Sequence, residues 1–196
     1  MQEMNDVFKF VKLTHDLQLV KRRLWATGED RQENDAEHSF QLGMLGWYLV
    51  SAHGLALDSD KVLKYGLVHD LVEAYAGDTF AYEQDESIKN SKIEREAAAA
   101  EKLKKEFADF EELHQYIKGY KDHVDKEAKF VYALDKIVPL LNIYLDKGRS
   151  WETERVTLDM ILNYKIDKIA ESPEAQKYFD QITAILKDQE SALFKK

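Results

Sequence analysis

Apolar positions recur every three or four residues along most of the chain, which is the spacing of one buried helix face. From about Asn5 to Leu24 they are Val7, Phe8, Val11, Leu13, Leu17, Val20 and Leu24, predicting a first helix. Asn34 as cap with Glu37 three residues on opens a second. On it His38, Leu42, Leu45 and Leu49 share a face, widened by Phe40, Met44, Trp47 and Tyr48. A third starts at Asp58 or Ser59, carries Val62, Leu63, Leu67, Leu71 and Val72, and stops at Gly77. After an irregular connection from Phe80 to Asn90, helices are predicted over Ser91 to Phe107, from Asp109 (capping box with Glu112) to Lys118, and from Asp125 to Leu145. Another covers Trp151 to Ala170, and Ser172-Pro173 starts the last. Residues after Lys187 are expected to fray. No strand, repeat or linker stands out, so the expected fold class is all-α.

A chain of 196 residues suits one domain, residues 1–196, burying roughly 70% of its unfolded surface. The net charge of −9 argues against nonspecific nucleic-acid or anionic-membrane partners. It still permits a small phosphorylated substrate where local cations reverse the field. Without cysteine there is no disulfide, thiolate catalysis or cysteine-held zinc. No apolar run reaches membrane-spanning length, and no leader pattern begins the chain. The expectation is a cytoplasmic protein.

Against this pattern some polar residues are out of place. His69 and Asp70 end the apolar run that begins near Val62, and burying such a pair is costly without compensation. Glu73 follows one turn later and Asp78 lies in the Ala76-Gly77-Asp78 turn. His38 faces inward from the second helix; spacing alone leaves a core histidine and a metal ligand both open. Asp135 has Val131, Tyr132, Val138 and Pro139 on its own face, and Pro139 has no N–H for the Asp135 carbonyl. An ion pair with Lys or Arg and a metal would each explain it. Lys21-Arg22-Arg23 ends the first helix, where a solvated, dipole-favoured role is the plain reading for Arg22. Two imidazoles and two carboxylates would suit Mn²⁺, Fe²⁺, Co²⁺, Ni²⁺ or Zn²⁺.

Four stretches resemble the HD-domain metal-dependent phosphohydrolases: Glu33-Asn34-Asp35-Ala36-Glu37-His38-Ser39, Val68-His69-Asp70-Leu71-Val72-Glu73-Ala74, Ala76-Gly77-Asp78 and Leu134-Asp135-Lys136. They are most similar to the small bacterial 5′-deoxynucleotidases. The resemblance implies a helical HD-domain bundle, with a metal-binding core at about 17–145 and packing helices at about 151–187. It implies one divalent ion on His38, His69, Asp70 and Asp135, with Glu73 acting on the attacking water and Asp70 able to share that task. Asp78 would hold the substrate and Arg23 would contact phosphate. One departure is that Leu24, not tryptophan, follows Arg23, and Arg22-Arg23 leaves that register open by one. The implied reaction is hydrolysis of deoxynucleoside 5′-monophosphates. A deoxynucleoside triphosphate triphosphohydrolase and a non-catalytic regulatory or interaction protein are the alternatives. Relatives are often homodimers, and Trp151, Tyr164, Tyr178 and Phe179 leave room for an interface, though core packing explains them equally well.

Overall fold

The computed structural model describes residues 2–194, and their order is α1 (Gln2–Leu19), β1 (Lys21–Trp25), β2 (Gln32–Asn34), α2 (Asp35–Ala52), α3 (Ser59–Val68), α4 (Glu73–Ala76) and α5 (Glu86–Glu106). Then come α6 (Glu111–Lys121), α7 (Lys126–Leu145), α8 (Arg149–Glu154), α9 (Leu158–Ile169), α10 (Pro173–Asp188) and α11 (Glu190–Leu193). The fold is an almost entirely helical single-domain bundle, as expected for all-α. Its axis is α7, where Phe130, Val131, Leu134, Ile137 and Leu140 are buried between α2, α3, α9 and α10.

Several starts follow their predicted caps. The Asn34 side chain accepts from Glu37 N–H, and the Glu37 carboxylate accepts from Asn34 N–H, completing the capping box of α2. Asp58 caps α3 and Asp125 caps α7. The Asp109–Glu112 box does not form: α6 begins after Phe110 without a side-chain cap.

Other differences bear on the site. The first helix ends at Leu19, and Lys21–Trp25 pairs antiparallel with Gln32–Asn34, with an irregular register between Lys21 and Trp25. Strand alternation then turns neighbouring arginines to different surroundings. The segment expected as one helix over Trp151–Ala170 is broken by Arg155 in left-handed conformation (φ 54°), after which the Thr157 side chain caps α9. Beyond Lys187 the described residues up to Phe194 do not fray, since Leu193 is buried and Phe194 stacks on Trp151 at 4.6 Å; Lys195 and Lys196 lie outside the described residues. Trp151 and Phe179 are core residues. Exposed apolar side chains include several on α1 and Phe40, Met44, Trp47 and Tyr48 of α2. No described helix is long and apolar enough to cross a membrane.

The closest approach of two helices sets the site. A Cβ on Gly66 of α3 would lie 2.7 Å from Gly43 Cα and 2.9 Å from Gly43 N on α2. Only hydrogen fits between the two backbones there. The contact holds the first turn of α2 against the last of α3, with the His38 and His69 rings 5.1 Å apart. Gly66→Ala should cost about 3 kcal/mol in chemical denaturation, at the upper end for overpacking. A loss below about 1 kcal/mol would show that the helices separate easily.

Candidate metal centre

Four side chains from three distant segments meet in the interior. His38 projects from the first turn of α2, His69 caps α3, Asp70 begins the turn after it, and Asp135 lies midway along α7. One ligand atom from each lies within 4.8 Å of all the others. His38 Nε2 is 2.8 Å from Asp135 Oδ1, while His69 Nε2 is 2.9 Å from Asp70 Oδ2 and 3.8 Å from Asp135 Oδ1.

Hydrogen bonding around His69 points to a cation. Its Nδ1 lies 2.9 Å from the Gly66 carbonyl, an acceptor, so Nδ1 carries the hydrogen and Nε2 presents a lone pair to two carboxylates. Nε2 is buried and has no hydrogen-bond partner among the described residues. A lone pair facing carboxylate oxygens is repulsive until a proton or metal comes between them. His38 is fully buried, and burial, with the Arg22 charge, holds its pKa down to about 4. At physiological pH it is a neutral imidazole, the form that can bind a metal. Burial opposes ionisation of Asp135, yet the Lys136 ammonium and the His38 contact hold it well below the usual carboxylate range. Asp70 is likewise held down, chiefly by His69, against the cost of burial. Against the cost of burial, Asp70 and Asp135 raise the pKa of His69, so a bound cation would take the place of a proton there; two imidazoles and two ionised carboxylates fit a divalent ion of the Mn²⁺-to-Zn²⁺ series.

A second acidic group adjoins the first. Asp35, Asp70 and Glu73 bring carboxyl oxygens within 4.8 Å of one another. Burial, then the Asp70 charge, lifts Asp35 to about 7 and Glu73 to about 11. Glu73 Oε2 is buried without a partner. Asp78, just beyond Gly77 (φ 74°), is also raised by burial. Its turn is held by Arg95, which donates to the Ala76 carbonyl and, at 2.7 Å, to Thr79 Oγ1.

The arginine at the cluster is Arg22. Its Nη1 is 3.2 Å from Asp70 Oδ2 and 3.3 Å from Asp35 Oδ1, with Nε 3.2 Å from Glu33 Oε1. The solvated reading of Arg22 fails because its residue sits on β1 facing inward, not at a helix end. Arg23 lies on the rim: it pairs with Glu83 and Glu154 and its guanidinium lies 4.6 Å over the Phe80 ring. Both arginines line one open cleft, together with Asp70, Glu73, Asp78 and Asp135.

Sequence reasoning passed over several residues of the buried acidic group and of the cleft. Asp35 was hidden inside a sufficient capping motif, and Arg22 inside a predicted helix end. Lys92 from α5, Lys136 from α7, and Glu154, Tyr164 and Lys165 from α8 and α9 also line the cleft. The last three come from segments expected only to pack. The Lys136 contact was signalled by its place beside Asp135; Lys92 and Lys165 had no local signal.

A family model described as HD domain matches residues 14–190. Among curated proteins, "5′-deoxynucleotidase HDDC2" of Dictyostelium discoideum is 27% identical over 149 residues, covering 72% of this chain and 77% of that protein. The human protein of the same name is 25% identical over 138 residues, covering 69% and 65%. A solved structure from Magnetospirillum magnetotacticum MS-1, described as a predicted metal-dependent phosphohydrolase, aligns with TM-score 0.79 and 27% identity over 95% of this chain and 96% of that one. A conserved hypothetical protein from Pyrococcus furiosus shares the fold, with TM-score 0.64 and 22% identity over 92% and 99%.

The crowding of Glu73 has a measurable consequence in metal-free protein. Its folded pKa of about 11 exceeds its ordinary 4.5, so the folded chain keeps a proton that the unfolded chain has lost. Its contribution is fully present below pH 4.5 and is lost as pH rises toward 11. In EDTA at pH 8, Glu73→Gln should therefore raise unfolding stability by about 1–3 kcal/mol and flatten the decline with pH. A less stable variant would mean that Glu73 is ionised without metal.

Proposed function

The chain belongs to the HD domain family, and from that premise we propose that it is a metal-dependent phosphohydrolase acting on deoxynucleoside 5′-monophosphates. The observation that carries the reading is the convergence of His38, His69, Asp70 and Asp135, with the unpartnered His69 Nε2 aimed into the group. The substrate class is supported by the deoxynucleotidase relatives and by the cleft beside this group.

We assign the four residues as ligands of one divalent ion. When bound, the ion supplies Lewis-acid charge at the phosphate and makes an adjacent water more acidic. The same charge offsets the repulsion that keeps Glu73 protonated. Glu73 Oε2, buried and free of partners, is then the atom that takes the proton of the attacking water, with Asp70 sharing in its orientation. Arg22 holds Asp35 and Asp70 in place and offers positive charge to the phosphate from the cleft wall. Arg23, expected to make that contact, closes the rim through Glu83 and Glu154 and reaches the phosphate only if those pairs open. Asp78 accepts the 3′-hydroxyl of the sugar. Water attack breaks the bond between phosphorus and the 5′-oxygen, giving inorganic phosphate and the deoxynucleoside.

The triphosphohydrolase reading is favoured by one observation, the five cations Arg22, Arg23, Lys92, Lys136 and Lys165 around the cleft. Against it, Arg22, Arg23 and Lys136 are each already paired with carboxylates. The products separate the two. Nucleoside mono-, di- and triphosphates, ribo and deoxy, assayed with Mn²⁺, Co²⁺ and Mg²⁺, should yield inorganic phosphate from the deoxynucleoside monophosphates. Release of triphosphate would establish the other reading, and no phosphate from any monophosphate would refute the proposal. Glu73→Gln should lower kcat about a thousandfold, on the order of 4 kcal/mol in the barrier.

A further inference from the structure

Three buried polar atoms meet beside the metal centre without a hydrogen bond: Glu33 Oε1, Arg22 Nε and His38 Nδ1. Glu33 takes the inward position of β2, next to exposed Gln32, and is 5% exposed. Its Oε2 accepts from Asn142 Nδ2 at 3.0 Å, and the Asn142 amide pairs in turn with that of Gln41. The carboxylate is thus tied to both α7 and α2. Its Oε1 lies 3.2 Å from Arg22 Nε and 3.7 Å from His38 Nδ1, lacking the alignment or the closeness of a hydrogen bond to either. Arg22 is already paired through Nη1 with Asp35 and Asp70. Neutralising that arginine therefore leaves the place of Glu33 beside His38 unexplained.

The two histidines differ in where their hydrogen sits. His69 gives its Nδ1 hydrogen to the Gly66 carbonyl, so its Nε2 lone pair already faces the carboxylates. In His38 the order is reversed. Its Nε2 lies 2.8 Å from Asp135 Oδ1, an acceptor held ionised, so Nε2 carries the hydrogen of the neutral ring. Nδ1 is then a lone pair facing the Glu33 carboxylate, and two acceptors gain nothing from each other. A metal ligand needs the opposite tautomer, with the lone pair at Nε2 beside Asp135. The hydrogen then belongs at Nδ1, where Glu33 Oε1 is the acceptor that stands before it. The gap of 3.7 Å is about 1 Å longer than a charge-assisted hydrogen bond, so a small movement of either side chain closes it.

We propose that Glu33 is a positioning residue for this site: its Oε1 accepts the Nδ1 hydrogen of His38 and so fixes the Nε2 lone pair on the metal side, while the same oxygen steadies Arg22 at the cleft wall. The inference rests on the metal-centre reading of the site. A carboxylate behind a histidine ligand sets its tautomer and ring orientation and makes the ligating nitrogen more basic. His38 stays neutral throughout, since the hydrogen lost at Nε2 is matched by the one held at Nδ1. One carboxylate oxygen is thereby shared by a metal ligand and by the arginine that faces the phosphate.

The test reads the ring nitrogens themselves. Protein with isotopically labelled histidine nitrogens, stripped with EDTA, is titrated with Zn²⁺, which is diamagnetic, and His38 is followed by NMR. Without metal Nε2 should carry the hydrogen. With Zn²⁺ bound the hydrogen should be on Nδ1, while His69 keeps its own on Nδ1 in both states. Glu33→Met should weaken Zn²⁺ binding by about ten- to a hundredfold in calorimetry. Glu33→Gln, which keeps an uncharged acceptor, should weaken it less. If Glu33→Met does not fold, the ring signals of the natural protein decide alone. Zn²⁺ bound with no hydrogen on His38 Nδ1, or an affinity undiminished in Glu33→Met, overturns the role of Glu33 and leaves the metal centre standing. Natural protein that binds no Zn²⁺ overturns both.

Discussion

Too many carboxylates share one poorly hydrated space. Asp35, Asp70, Glu73 and Asp78 crowd one another there, Asp135 acts on Asp70, and the protein offsets them only in part, with Arg22, His69 and Lys136. The outcome is uneven. Asp70 and Asp135 stay ionised because each has a cation or histidine in contact, whereas Asp35 and Glu73 are pushed upward. Burying like charges without compensation is destabilising, so the arrangement has a purpose only if positive charge is added. A divalent ion at the point where the candidate ligand atoms converge would supply it.

The rest of the fold serves that geometry. Glycine on both sides of the α2–α3 contact brings His38 and His69 to one place, and α7 delivers Asp135 from below. The short strand pair turns Arg22 inward against Asp35 and Asp70 while Arg23 takes the rim. The C-terminal helices do more than cover the core. Glu154, Tyr164 and Lys165 also line the cleft, so part of its wall comes from a stretch remote in sequence from the candidate metal group.

The helical class and the four side chains that converge were legible in the sequence for one shared reason. Both are deviations from, or instances of, a simple helical period: His38 and Asp135 stand out because the faces around them are apolar. The strand pair was missed because five residues of Lys-Arg-Arg-Leu-Trp extend an apparent helical period and make a weak strand signal. The break at Arg155–Thr157 was missed because helical spacing resumes in phase on either side of it. Arg22 and Asp35 were misjudged because each had an adequate local explanation, a helix C-terminus and a capping motif. Lys165 is beyond local reasoning altogether. Its meaning comes from packing against Lys136, 29 residues away, and from a cavity that no periodic pattern describes.

The most direct test of this account is metal stoichiometry. Protein stripped with EDTA, titrated with Mn²⁺ by calorimetry and checked by elemental analysis, should bind one ion per chain. Asp135→Ala, which removes one ligand without enlarging any side chain, should lose that binding while circular dichroism shows the helical fold retained. Natural protein that binds no divalent ion, or an Asp135→Ala variant that binds it undiminished, would contradict the metal centre on which the functional reading stands.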